Sequence, residues 1–248
     1  MGLLPENKPV KQKVEDAKVK IWIYGAPMVG KTVLASKFPS PIMLNTDGNT
    51  KFIDTPRILI SDEVKHKGRI KEEIKMWSKF KAVIEELSDP TTNTYETIVL
   101  DLVEDLYEGC RLYVYDKLKI EHESDNPFKA WDIVTNEYLN TMRELLTLDY
   151  NMVILSHEDT TRDITRPNGD NITQIKPNLR DKVALKLVGY VDIVGRMTVQ
   201  GREQKRVLSF KQDSVTFGGG RLNIRNKDIE PTFENIKNLY NENLGGIK

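Results

Sequence analysis

Apolar positions in this chain follow two rhythms. Short unbroken apolar runs alternate with stretches whose apolar residues recur every three or four positions, the marks of buried strands and of amphipathic helices. Val19-Lys20-Ile21-Trp22-Ile23-Tyr24, rich in β-branched and aromatic residues and ended by Gly25, predicts the first strand. A helix is expected over 31–38, stopped by Pro39 and Pro41. A second strand over 41–45 runs into the turn-prone Thr46-Asp47-Gly48-Asn49. Ile70, Ile74, Trp77, Phe80, Val83, Ile84 and Leu87 stand at helical spacing, which predicts a helix from about Ile70 to the Asp89-Pro90 stop. Thr97-Ile98-Val99-Leu100 is a strand entering Asp101, with a helix from there through Leu118. Trp131, Val134, Tyr138, Met142, Leu145 and Leu146 mark a further helix, and 152–155 the next strand. Residues 160–177 show neither rhythm and read as a long irregular loop. An antiparallel hairpin is predicted from 193–199 and 206–210, and a closing helix over 231–239.

Strands that alternate with helices pair in parallel, because parallel neighbours need long crossovers. The expected fold class is therefore α/β, a mainly parallel twisted sheet flanked by helices with a C-terminal antiparallel hairpin. A chain of 248 residues fits one domain, placed at 19–248. Residues 1–18 are polar and lysine-rich, with Pro5 and Pro9, and are expected to form a flexible N-terminal arm.

Composition removes some classes. Lys and Arg number 37 and so do Asp and Glu, so no overall positive charge points to nucleic acid. Cys110 is the single cysteine, which excludes an intramolecular disulfide and a cysteine-built zinc site. The amino-terminal residues carry no signal-like apolar stretch, and no run approaches the about 18 residues of a membrane span. A cytoplasmic protein without membrane contact is expected.

The chemistry concentrates where strands end. Gly25-Ala26-Pro27-Met28-Val29-Gly30-Lys31-Thr32 matches G-x-x-x-x-G-K-[ST], after a strand and opening a helix. Backbone N–H groups of such a loop cradle phosphates at a positive helix end, the lysine reaches the β- and γ-phosphates, and the threonine hydroxyl ligates Mg²⁺. Residues 25–32 are therefore candidates to bind ATP, with Lys31 catalytic and Thr32 a metal ligand. Asp101 is the candidate second Mg²⁺ ligand. Asp47, at the carboxyl end of its strand, either polarises the attacking water or only shapes an Asp-Gly turn. Ser156 and His157 end another strand, and one of them is a candidate sensor of the γ-phosphate, His157 being counted among the catalytic residues. Two basic segments stand out: Lys65-His66-Lys67-Gly68-Arg69, and Arg162, Arg166, Lys176, Arg180 and Lys182 in the stretch after His157.

On these residues the chain resembles phage-encoded RecA-like P-loop ATPases, often described as phage nucleotide-binding proteins and including the Sak-type single-strand annealing recombinases. The P-loop carries most of the likeness. Asn45-Thr46-Asp47-Gly48, Ile98 to Asp101, Leu155-Ser156-His157-Glu158, Pro177-Asn178-Leu179, Tyr190-Val191-Asp192 and Ile229-Glu230-Pro231-Thr232-Phe233 follow in order. The resemblance implies a Mg²⁺-dependent ATPase acting on single-stranded DNA in phage recombination, annealing or replication. It implies a DNA-binding loop around Arg162 and Arg166, a homo-oligomer, a phage single-strand binding protein as partner, and a bacterial cytoplasm. RadA-like chains carry a glutamate where Asp47 stands, so the shorter acid implies slow turnover. In RecA-like assemblies a basic residue of one subunit reaches the next subunit's phosphate, and Arg206, beside Arg202 and Lys205 on the hairpin, is the candidate. Two other functions remain open: a nucleotide-gated interaction module with little turnover, and a P-loop kinase of small molecules.

Overall fold

The computed structural model describes residues 17–68, 70–89, 91–120, 127–165, 169, 171–224 and 227–245. Most of the expected N-terminal arm thus lies outside the described residues; Ala17, at its end, is buried and its carbonyl accepts a bond from Lys237 Nζ at 2.8 Å.

The chain runs β1 (Lys20–Gly25), α1 (Lys31–Ala35), β2 (Pro41–Asn45), β3 (Arg57–Leu59), β4 (Glu63–Lys67), β5 (Ile70–Ile74), α2 (Met76–Ser88), β6 (Thr97–Asp101) and α3 (Val103–Leu118). Then come α4 (Pro127–Thr147), β7 (Asn151–Thr165), β8 (Asn171–Pro177), α5 (Asp181–Leu187), β9 (Ile193–Gln200), β10 (Lys205–Ser209), β11 (Gly219–Gly220), β12 (Asp228–Ile229) and α6 (Phe233–Gly245). The main sheet has the order β12-β10-β9-β1-β7-β6-β2-β3. From β9 to β3 every neighbour is parallel, while β10 and β12 add antiparallel edges. This is the expected α/β sheet with its C-terminal hairpin.

Period two divides each central strand between two cores. Trp22, Tyr24, Ile98, Leu100, Met152 and Ile154 face a cluster built with α2, α3, α4 and α5. Ile21, Ile23, Val99, Val153 and Leu155 face the other, built with α1, α6 and the hairpin. Both faces being covered explains why these strands read as unbroken apolar runs. Trp77 stacks on Tyr138 with ring centroids 5.7 Å apart, fastening α2 to α4.

Three expectations need correction. The helix predicted from Ile70 begins at Met76, and 70–74 instead pairs with β4 as a separate two-stranded hairpin turning at Gly68, whose φ is 66°. Ile70 and Ile74 are four apart, a spacing that helix and strand share; the helix start is set by Asp62, whose Oδ1 accepts the Met76 N–H at 2.6 Å. The helix expected to reach Phe38 closes at Ala35, and Lys37 and Phe38 donate to carbonyls three residues back in a tighter turn. The irregular loop over 160–177 is a long arm: β7 runs on to Thr165 and returns as β8, with an irregularity between Asp159 and Arg162. Its outer part sets Ile164 opposite Ile172 and is otherwise mostly polar, too little apolar alternation to betray the strands. No helix among the described residues is long and apolar enough to cross a membrane.

Asn151 ties the bottom of the sheet. Its Oδ1 accepts the buried Val19 N–H at 2.9 Å and its Nδ2 donates to the Glu96 carbonyl at 3.1 Å. Asn151→Ala should cost about 2 kcal/mol in denaturant unfolding, because it strands the buried Val19 N–H, while the Glu96 carbonyl keeps its bond from the residue 151 backbone N–H. An unchanged midpoint would show that solvent replaces both bonds.

Candidate functional site

Parallel pairing brings the candidate residues to one edge. In register, Gly25 lies opposite His157, and Asp101 opposite Leu155 and Asn45. Strand β7 separates the P-loop strand β1 from the Asp101 strand β6, so His157 emerges between them.

The P-loop geometry depends on two glycines. A Cβ at Gly25 would lie 2.3 Å from the Met197 carbonyl oxygen of β9, so only hydrogen fits. Gly30 has φ 101°, in the left-handed region that favours glycine, and a Cβ there would lie 2.9 Å from Arg206 Nε. Lys31, 5% exposed, donates from Nζ to the Gly25 and Ala26 carbonyls, each at 2.9 Å. Burial lowers the pKa of this ammonium, and the nearby carboxylates of Asp101, Glu104 and Glu158 oppose that. Thr32 Oγ1 donates to Asp101 Oδ2 at 3.1 Å. Asp101 is buried, which pushes its carboxyl up to about 6; the Thr32 bond pulls it back and the Asp47 carboxylate adds to the rise. The hydroxyl and carboxylate are set side by side as a divalent cation requires, and the P-loop amides open onto the same edge. These residues fit Mg²⁺ and a nucleotide.

Asp47 holds its own turn. Its Oδ1 accepts from Asn45 Nδ2 and the Asn49 N–H, each at 2.9 Å, and its Oδ2 from Asn49 Nδ2 at 3.0 Å. Burial acts upward on Asp47, but these three bonds carry it below the usual carboxylate range. Of the two sensor candidates the structure sets His157 towards the site. Ser156 is fully buried and its Oγ accepts the Trp22 indole N–H at 2.9 Å. Burial, then the Lys31 charge, lowers the His157 pKa, so the ring is neutral near pH 7.

Glu104 is the residue that sequence reasoning missed. It lies in the first turn of α3, three residues after Asp101, where an acid also suits the helix dipole and so attracts no notice. Its Oε1 accepts the His157 backbone N–H at 2.8 Å and meets His157 Nδ1 at 2.9 Å, while Oε2 is buried without a hydrogen-bond partner among the described residues. Burial pushes its carboxyl up to about 7, against the bond from the His157 amide. A carboxyl near neutrality, within electrostatic reach of Lys31 and with one unpartnered oxygen among the described residues, can accept a proton from a water admitted to that buried oxygen. Glu158, also unforeseen, pairs with Arg196 of β9 at 2.8 Å.

Arg206, the candidate for reaching a neighbouring subunit, lies against the P-loop of its own chain. Its Nε donates to the Val29 carbonyl at 3.0 Å. The pairing of β10 on β9 puts Arg206 on the same face as Leu208, whose side chain is in the α1 core. A cavity of about 340 Å³ lies beside it, lined by Gly30, Val33, Lys37, Met197 and Pro231 among others. Arg162 is engaged with Asp181 at 2.6 Å and Asp159 at 3.2 Å; Arg166 lies outside the described residues.

Strand order, P-loop and the Thr32–Asp101 pair define a nucleotide-binding P-loop NTPase. Residues 17–222 match the family model described as an AAA domain, and the chain belongs to that family. No curated protein matches the chain.

Glu104 gives the site a pH signature. Its carboxyl ordinarily titrates near 4.5 and in the fold at about 7, so the proton favours folding: the stability is full below about 4.5 and lost as pH rises through about 7. Glu104→Gln should therefore stabilise the protein by on the order of 2 kcal/mol at about pH 8, with the gain fading by about pH 4. Thermal melts at the two pH values check this, and an equal gain at both would assign it to packing.

Proposed function

We propose that this protein is a Mg²⁺-dependent ATPase that acts on single-stranded DNA in phage recombination, annealing or replication, working as a homo-oligomer in the bacterial cytoplasm. The observation that carries the hydrolytic part is the convergence of Lys31, the Thr32–Asp101 pair and the Glu104–His157 pair on one sheet edge. Mg²⁺ held by Thr32 and Asp101 supplies charge neutralisation to the phosphates when bound. Lys31 exchanges its two loop carbonyls for β- and γ-phosphate oxygens. Glu104 takes the water proton as the oxygen–phosphorus bond forms and the bond to the ADP leaving oxygen breaks. His157, hydrogen-bonded to Glu104, fixes that carboxylate and senses loss of the γ-phosphate. Asp47 keeps the neighbouring turn in shape. Arg206 steadies its own P-loop, and the adjoining cavity takes the nucleoside.

The single-strand part rests on the resemblance to annealing recombinases and on the arm of β7 and β8, which rises directly from His157 and bears Arg162. The oligomer is supported by Met28 and Phe52, 99% and 100% exposed in the P-loop and in the loop after β2, where a second copy would cover them. A phage single-strand binding protein is the partner that such a role calls for.

ATP hydrolysis with and without single-stranded DNA tests the reading. Hydrolysis stimulated by the strand is expected; tight ATP binding without turnover would favour a nucleotide-gated module, and a phosphorylated small acceptor a kinase. Lys31→Ala should abolish hydrolysis in a folded protein. Glu104→Gln should lower the rate about 10²-fold or more while Asp47→Asn, which keeps the two bonds that Oδ1 accepts and loses the one Oδ2 accepts from Asn49 Nδ2, costs far less. The reverse order would return the base role to Asp47. Arg206→Ala mixed with Lys31→Ala should not regain activity, whereas regained hydrolysis would place Arg206 across a subunit interface.

A further inference from the structure

At the root of the arm, α3, α4 and α5 leave a cavity of about 360 Å³ whose lining includes Tyr107, Trp131, Arg162, Arg180 and Lys182. We propose that it binds one nucleotide unit of a single nucleic-acid strand, the base stacked on Arg180 and the phosphates held by Arg162 and Lys182. The inference rests on the single-strand reading above and gives it a place.

Three observations point there. The Arg180 guanidinium carbon lies 3.6 Å from the centroid of the Trp131 ring, a flat cation laid on a flat aromatic. Arg180 makes no ion pair with a described residue, so its charge is uncommitted, and a stacked guanidinium offers a second flat face to a base. Tyr107 is 6% exposed and lines the cavity, yet its hydroxyl has no hydrogen-bond partner among the described residues, which leaves a buried donor for a base edge. The phosphate-binding groups are already assembled. Arg162 is paired with Asp159 and Asp181, and Lys182 with Asp132 at 3.0 Å; Asp132, Asp181 and Lys182 are all more than half exposed. The exposed Arg162–Asp181 and Lys182–Asp132 pairs are readily exchanged for phosphate, while Asp159, 12% exposed, keeps Arg162 in place.

The cavity shares two elements with the catalytic edge. Tyr107 lies one turn beyond Glu104 on α3, and Arg162 lies along β7 from His157. An occupant that moves either element acts on the Glu104–His157 hydrogen bond, which gives the strand a route to hydrolysis.

Fluorescence reads the site directly. Trp22 and Trp77 are fully buried, whereas Trp131 is half-buried beside the cavity. Titrating the full chain with a short oligothymidylate at fixed low salt should change Trp emission, with binding followed in parallel by anisotropy of a labelled strand. Trp131→Phe should abolish the emission change. Arg180→Ala should weaken binding about tenfold or more, and Arg180→Lys, which keeps charge but loses the flat face, about threefold or more. Melting curves establish that each variant is folded. Parental binding by folded Arg180 variants would overturn this pocket and leave the single-strand reading standing; no binding by the parent chain would overturn both. The same emission change with inorganic phosphate alone would make this an anion site and overturn the stacked base.

Discussion

The site depends on the parallel hydrogen-bond register of β1, β7 and β6. Parallel strands buried on both faces satisfy their backbone groups only from each other, so the carboxyl ends of neighbours are held at fixed height. That register sets Gly25 opposite His157 and Asp101 two residues short of it, opposite Leu155. A slip of one residue would exchange the two cores and turn Trp22 and Ile23 to the wrong faces. The P-loop, the Thr32–Asp101 pair and His157 are therefore placed by the packing of side chains remote from them.

Given that frame, the site's electrostatics follow from burial. Lys31, Asp101 and Glu104 are removed from water within a few residues of strand ends, and for each of them desolvation is the largest influence on its titration. The two raised carboxyls describe an edge that is less negative near neutrality than its composition suggests. Asp47 shows the contrast: beside Asp101, it keeps its charge because Asn45 and Asn49 donate to it. Three acids at one edge thus divide, Asp101 and Glu104 raised and Asp47 lowered, and the one with an unpaired oxygen among the described residues and a pKa of about 7 is Glu104.

The fold was legible where side chains are buried. Strands 19–24, 41–45 and 97–100, the helices around Trp77 and Trp131, and the hairpin at 193–210 all show in the apolar pattern, because covered faces leave a periodic trace. What failed to show is solvated: the polar strands of the arm, and the hairpin 63–74 whose two isoleucines suit either period. The P-loop was legible because its chemistry needs a fixed string, and Asp101 because it ends a buried strand. Glu104 was not, since one acid in a first helical turn is ordinary and only the fold shows that it meets His157. Arg206 was seen as basic and near a turn, but its direction is a matter of register between β9 and β10.

That register also explains why the hairpin belongs to the ATPase core. Gly25 is confined by the Met197 carbonyl of β9, and Gly30 by the Arg206 side chain of β10, so both fixed glycines of the P-loop touch the hairpin. Glycine at position 30 answers two demands at once, a left-handed backbone and room for a guanidinium. The Arg206 bond to the Val29 carbonyl ties the loop to the hairpin by a charge-assisted hydrogen bond. Movement of the hairpin would therefore alter the phosphate cradle directly, and the matched family region, which extends to residue 222, includes both.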